Sequence, residues 1–256
     1  MTARRALLFD AGNTRLKWGI AEGTRLARTG AITHETLSET GIAALTTRLP
    51  RDADTVLVSN VAGASFATRL SGVIGMHCNC EVHFARTAAA AFGVTNSYRQ
   101  PRRLGIDRWV AMIGAYNEFR SALCIVDAGT AVTIDALDRG GQHLGGQILP
   151  GISLMTEALS TDTSELPAVK RAPSTAAAGM DAFATSTGSA IYNGSLGAVC
   201  GGIERAVRTL RAARYRPKLV LTGGDASRIL ERLEGTAVHR PNLVLQGLAI
   251  MVQGKT

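Results

Sequence analysis

Two short segments combine residue types and spacing suited to gripping phosphate. Ala6-Leu-Leu-Phe-Asp10-Ala-Gly-Asn-Thr14 and Leu123-Cys-Ile-Val-Asp127-Ala-Gly-Thr130 each run from an apolar strand into Asp-Ala-Gly, then a hydroxyl or amide residue. Glycine lets the backbone approach an anion with no Cβ in the way. Turn N–H groups can point at phosphate oxygens, and Asn13, Thr14 and Thr130 add side-chain donors. The two aspartates suit a cation, or water on a cation, rather than phosphate itself. One Asp-x-Gly is ordinary turn chemistry. Two copies 117 residues apart, in matching context, are a repeat. They predict two similar domains, each opening on a β-hairpin, at 1–118 and 119–256.

Other residues between and after the turns could act on a substrate, and each also has a plain structural reading. Asp107 stands where a loop meets an expected helix, so it can accept a proton or cap that helix. Arg108 offers a planar fork for a carboxylate, or is a surface helix arginine. Tyr98 can pack its ring on a ligand and hydrogen bond from its tip, or is a half-buried loop residue. Thr187 can bind substrate, serve as the N-cap of a long helix, or do both. Lys17 can reach a β- or γ-phosphate, or lie on the exposed face of an edge strand. Gly254-Lys255-Thr256 imitates the end of a P-loop, but Ala249 stands where that pattern needs glycine. His77, Cys78, Cys80 and His83 invite a zinc reading, but no second Cys pair follows, so buried or surface thiols are expected.

Elements able to position these residues alternate along the chain. Ala6–Asp10, Leu16–Ala21 and Arg25–Gly30 predict three strands, followed by a helix over Thr33–Arg48. Thr55–Ser59 reads as a buried strand, Phe66–Ile74 as a helix and Glu81–Ala85 as a strand. The irregular stretch Thr95–Gly105 is long enough to suggest function, and a helix starts near Ile106–Asp107. The theme then repeats: strands at Leu123–Asp127, Val132–Leu137 and His143–Ile148, a break at Pro150–Gly151, and a helix over Ile152–Ser160. Ser164–Ala178 is Pro-, Ala- and Thr-rich and reads as a loop. A long helix is expected over Ser189–Arg214, a strand over Lys218–Thr222, and a helix from Ala226.

Composition narrows the class. A 46% hydrophobic content suits a globular core. No run of roughly 18 apolar residues exists to cross a bilayer, and the apolar run after Met1–Arg5 is too short for a signal peptide. A cytoplasmic location is expected. The net charge of +8, with 24 of 28 basic residues arginine, suits an anionic ligand such as ATP. No long Lys/Arg run and few aromatics accompany it, so no nucleic-acid or membrane partner is expected.

At this point the sequence resembles the sugar kinase/Hsp70/actin superfamily, through the paired turns and Thr222-Gly-Gly-Asp225. Within it the match is to the type III pantothenate kinase family. That match rests on Asp10–Thr14, on Tyr98 with Pro101-Arg-Arg-Leu-Gly105-Ile-Asp107-Arg108-Trp109, and on Asp127-Ala-Gly-Thr130-Ala-Val-Thr133-Ile-Asp135. It continues through Gly145-Gly-Gln-Ile-Leu-Pro150-Gly151 and Thr187-Gly-Ser-Ala190-Ile191. The resemblance implies an α/β fold of two duplicated ribonuclease-H-like (actin-like ATPase) domains with a nucleotide cleft between them. It implies ATP-dependent phosphorylation of pantothenate to 4'-phosphopantothenate, the first step towards coenzyme A. By position, Asp107 would be the catalytic base. Tyr98, Gly105, Ile106, Asp107, Arg108 and Thr187 would hold pantothenate. Asp10, Ala11, Gly12, Asn13, Thr14, Arg15, Leu16 and Lys17 would form the first phosphate turn, and Thr130 would touch ATP from the second. Asp127 would hold a monovalent cation, K+ or NH4+, beside the Mg2+ that accompanies ATP. Family members are homodimers. The chain departs from the family pattern at Ser186, where Asn is expected, and across Thr163–Ala178. A sugar kinase of the same superfamily, and a non-catalytic ATP-binding transcription accessory factor, remain as alternatives.

Overall fold

The computed structural model of the protein describes residues 5–161, 166 and 183–254. The chain forms two compact units. One comprises Met1–Arg120, Arg139–His143 and Asn242–Thr256; the other comprises Ser121–Asp138 and Leu144–Pro241.

In the first unit, β1 (Arg5–Ala11), β2 (Arg15–Glu22) and β3 (Arg25–Thr33) precede α1 (His34–Thr40), β4 (Thr55–Asn60), α2 (Ala64–Cys78) and β5 (Val82–Phe84). The sheet order is β3-β2-β1-β4-β5. β1 runs antiparallel to β2 and parallel to β4. Alternate side chains of β1 explain its apolar run. Leu7 and Phe9 join Trp18, Val56, Val58 and the α2 stripe Phe66, Leu70 and Ile74 in one core. Leu8 and Leu57 are buried on the opposite face. A strand covered on both sides has no use for polar alternation. A small hairpin, β6 (Ala90–Ala91) with β7 (Val94–Thr95), then leads to α3 (Ile106–Phe119).

The second unit repeats the plan. β8 (Leu123–Ala128), β9 (Ala131–Leu137) and β10 (His143–Pro150) precede α4 (Ile152–Thr161), α5 (Thr187–Ala212), β11 (Lys218–Thr222), α6 (Ala226–Leu230) and β12 (Val238–His239). The order β10-β9-β8-β11-β12 is the first sheet's order, strand for strand. β8 pairs antiparallel with β9 and parallel with β11. Three strands followed by two parallel ones, twice over, define duplicated ribonuclease-H-like units.

Three expectations need revision. The helix expected over Thr33–Arg48 is two pieces, α1 and a 3-10 segment Ile42–Arg48, because Gly41 (φ 78°) breaks it. Thr33 caps α1 instead of belonging to it, its hydroxyl accepting from Thr36 N–H. The last stretch also departs from the expected 119–256 division. α7 (Leu243–Gln253), not anticipated from the sequence, packs on α3, β1 and β4 and belongs to the first unit. Gly114 and Gly247 permit that packing: a Cβ on Gly114 would meet Leu243 O at 2.7 Å, and one on Gly247 would run into Val110 O. The stretch Ser164–Ala178, read as a loop, lies outside the described residues apart from Leu166.

Candidate active site

Asp10 sits at the end of β1, directly opposite Lys17 on β2 and beside Ser59 on β4. Residues in such register share a sheet face, so carboxylate, ammonium and hydroxyl belong to one surface. Ser59 is 1% exposed, and its Oγ has no hydrogen-bond partner among the described residues. β2 lies between β3 and β1, so Lys17 is not on an edge strand, contrary to one reading of its sequence. Beyond Asp10 the turn closes through Gly12 N–H to Arg15 O at 3.1 Å, with Asn13 and Thr14 exposed at its tip. Two anchors hold it from behind. His34 N–H donates to Thr14 O (2.9 Å), and Val61 N–H donates to Ala11 O (2.9 Å). The His34 ring adds a third contact, Nε2 to Gly12 O at 2.8 Å.

The second turn is built alike but tighter. Asp127 lies opposite Thr133 and beside Thr222. Gly129 N–H reaches Ala131 O at 3.1 Å, which leaves only Thr130 at the tip, exposed. Gly151 N–H donates to Thr130 O (2.9 Å), and Asp225 N–H donates to Ala128 O (3.0 Å). Gly151 stands 117 residues after His34, the offset that separates the two aspartates. A Cβ at Gly151 would meet Thr130 O at 2.5 Å, so only glycine fits that anchor.

The irregular stretch before α3 is ordered by Asn96, which is 9% exposed. Its amide donates to Ala88 O and Pro101 O (3.2 Å each) and accepts from Tyr98 N–H (3.0 Å). Tyr98 is thereby fixed at both ends. Its hydroxyl accepts from Arg108 Nη1 at 3.0 Å, and its ring stacks on His143, with centroids 6.0 Å apart and planes 16° apart. His143 is held in turn by Ser97 Oγ, 3.1 Å from Nδ1. Arg108 is 6% exposed, so the surface-arginine reading fails. Asp107, half-buried in the first turn of α3, accepts from Arg108 N–H through Oδ1 at 2.8 Å. Gly105 offers that helix no side-chain cap. The Asp107 carboxylate therefore does some capping and still stands at the helix's positive end.

Thr187 is the first residue of α5 and is exposed. It is not the N-cap. Ser186 is, its Oγ accepting from Ser189 N–H at 3.4 Å. Thus the structure joins Tyr98 to Arg108 and Asp10 to Lys17. It adds Ser59, His34, Asn96 and His143, which sequence reasoning passed over. The repeat carried the one usable signal, because the residue after the third strand anchors the turn in each copy.

The cysteines stand apart from these features. Cys78 donates to Pro50 O (3.7 Å), and its thiol is pushed up to about 11, first by burial and then by Cys80. Cys124 in β8 is pushed up to about 12, chiefly by burial. Such thiols stay protonated at neutral pH and are poor nucleophiles. Among the described residues no group of three or more His, Cys, Asp or Glu could hold a metal ion.

A sheet of this order, present twice, is the plan of the actin-like ATPase fold. Solved structures share it. The chain superposes on a candidate 2-dehydro-3-deoxygalactonokinase from Sinorhizobium meliloti with TM-score 0.62 at 15% identity, covering 98% of this chain and 99% of that one. It superposes on a candidate Baf family transcriptional activator from Campylobacter jejuni with TM-score 0.59 at 22% identity, covering 97% and 98%. At those identities the likeness speaks to the fold alone. Sequence takes the assignment further. Residues 6–209 match the type III pantothenate kinase family. The chain is 40% identical to a type III pantothenate kinase of Burkholderia thailandensis, over 96% of each chain. It is 35% identical to one of Nitrosococcus oceani, over 95% of this chain and 92% of that one. The chain belongs to the type III pantothenate kinase family. It is an enzyme that transfers a phosphoryl group from ATP to pantothenate, and neither the sugar-kinase nor the accessory-factor reading is favoured.

Proposed function

We propose that Asp107 is the base of this transfer, that Tyr98, Gly105, Ile106, Asp107, Arg108 and Thr187 hold pantothenate, and that Asp10 to Lys17 with Thr130 hold ATP. The observation that carries this reading is the first turn of α3. It combines a half-buried carboxylate with a buried guanidinium tied to Tyr98.

Phosphoryl transfer is mostly positioning and charge stabilisation. The primary hydroxyl of pantothenate attacks the γ-phosphorus. A new O–P bond forms, the bond to the β-phosphate oxygen breaks, and ADP leaves with that electron pair. Asp107 takes the hydroxyl proton as the new bond forms. Arg108 and the positive N-terminal end of α3 favour an anion there, which suits the carboxylate of pantothenate. At the first turn, the exposed tip Asn13–Thr14 presents donors to phosphate, and Lys17 adds charge from β2.

Mg2+ fits beside Asp10. A hard cation takes oxygen ligands, and the buried, unpartnered Ser59 hydroxyl on the same sheet face adds an oxygen to the carboxylate. Bound there with ATP, it would neutralise developing charge on the phosphates. Asp127 is the carboxylate for K+ or NH4+. The reading also includes a cytoplasmic homodimer. Support for the dimer, though not for the location, is an apolar groove of about 490 Å3 between α4 and α5, rimmed by Leu154 and Leu159 at 40% and 39% exposure.

Coupled ATP turnover with pantothenate, with K+ present or replaced by Na+, tests the whole reading. Asp107→Asn should keep the fold by circular dichroism and lose roughly 10²–10⁴ in kcat. Near-wild-type turnover in that variant would remove Asp107 from the role of base.

A further inference from the structure

We infer that His34 is a positioning residue for the first phosphate turn, acting through two carbonyls to aim the turn's N–H groups at ATP. The inference rests on the reading of that turn as the ATP phosphate site.

The two turns differ by one residue. From Asp10 to its opposite number Lys17 the chain takes one step more than from Asp127 to Thr133. The extra residue lies at the tip, where two exposed residues, Asn13 and Thr14, replace the lone Thr130. A longer tip has more conformations to lose on ordering. The shorter turn is held at its tip by one backbone bond, Gly151 N–H to Thr130 O. The longer turn has the equivalent bond, His34 N–H to Thr14 O, and a second one from the same residue, Nε2 to Gly12 O at 2.8 Å. A carbonyl only accepts, so Nε2 must carry the proton.

That second bond fixes a direction. In a trans peptide the C=O and the following N–H point oppositely. With Gly12 O turned towards the imidazole, the N–H of Asn13 faces away from His34, to the side where a phosphate would be bound. His34 itself has little freedom. Its ring stands edge-on to Phe66, with centroids 4.6 Å apart and planes at 90°. Its backbone opens α1, whose Thr33 cap sets the chain direction. Phe66 is 6% exposed and belongs to the core under the sheet. The turn is thus tied through one imidazole to the rigid part of its unit.

The test uses the full-length enzyme with His34→Ala and His34→Gln. The Gln amide can donate from near the Nε2 position; Ala cannot. Binding of a fluorescent ATP analogue and the separate KM values for ATP and pantothenate are measured, with thermal melts as a fold check. Loss of one such bond predicts about a ten-fold weaker ATP KM and analogue affinity in His34→Ala. The pantothenate KM should be unchanged, and His34→Gln should recover most of the loss. Wild-type ATP binding in His34→Ala would overturn the inference. So would equal losses for ATP and pantothenate that Gln does not repair, since those would mark a general packing role. Failure of the parent reading looks different: wild-type protein that binds no ATP analogue, or that loses none of its affinity when Asn13 and Thr14 are both replaced.

Discussion

Arg108 has to be charged, buried and fixed at once, and Tyr98 meets part of that demand. A buried guanidinium needs partners, because leaving a donor unsatisfied costs about 1–3 kcal/mol. The tyrosine hydroxyl supplies one at 3.0 Å, and the stacked His143 ring fixes where that hydroxyl can be. Tyr98→Phe should therefore let Arg108 wander without removing its charge. The expected result is a pantothenate KM raised roughly ten-fold with the ATP KM unchanged; an unaltered pantothenate KM would separate this pair from substrate binding. At this scale the sequence was informative about which residues matter and silent about who supports them. Asp107, Arg108 and Tyr98 stood out through the family pattern. Asn96 and His143 did not: Asn96 reads as any loop residue, and the contacts of His143 are with residues far away in sequence, which leave no periodicity or spacing to read.

The hairpin turns show what the elements contribute. Both copies were legible, since an apolar run into Asp-Ala-Gly is a local signal, and three strands per copy could be read from alternation and turn residues. The anchors behind the turns were harder to see. They come from the residue after the third strand and from the loop after the fourth, and only tertiary structure brings those to the turn. Likewise, the stretch Thr33–Arg48 reads as one helix because it is polar and Thr-rich on both sides of Gly41, whose φ of 78° interrupts it. The second anchor gives a clear prediction. Gly151→Ala places a methyl against Thr130 O, at a cost on the order of 1–3 kcal/mol. It should lower the melting temperature and weaken ATP binding together. A variant with wild-type values for both would show that the turn accommodates the methyl without moving.

For the molecule as a whole, α7 is the feature that local pattern reasoning could not place. Neither the helix nor the destination of its buried face was read from residues 242–254. It covers β1 and β4 and crosses α3 where Gly114 and Gly247 let the backbones meet. A fragment ending at Arg120 lacks that cover and should stay largely unfolded by circular dichroism. The same fragment joined by a short flexible linker to 242–254 should regain a cooperative thermal transition. If the unlinked fragment folded as well as the linked one, α7 would be dispensable to its unit.

The position of α7 also sets a schedule for the newborn chain. The strands that carry Asp10 leave the ribosome long before the helix that closes their sheet. At about 5–20 residues per second, the interval is tens of seconds. Until then that sheet lacks one of the helices packed on it, while the second unit can complete itself. Of the two units, the one begun earlier is thus the one finished later.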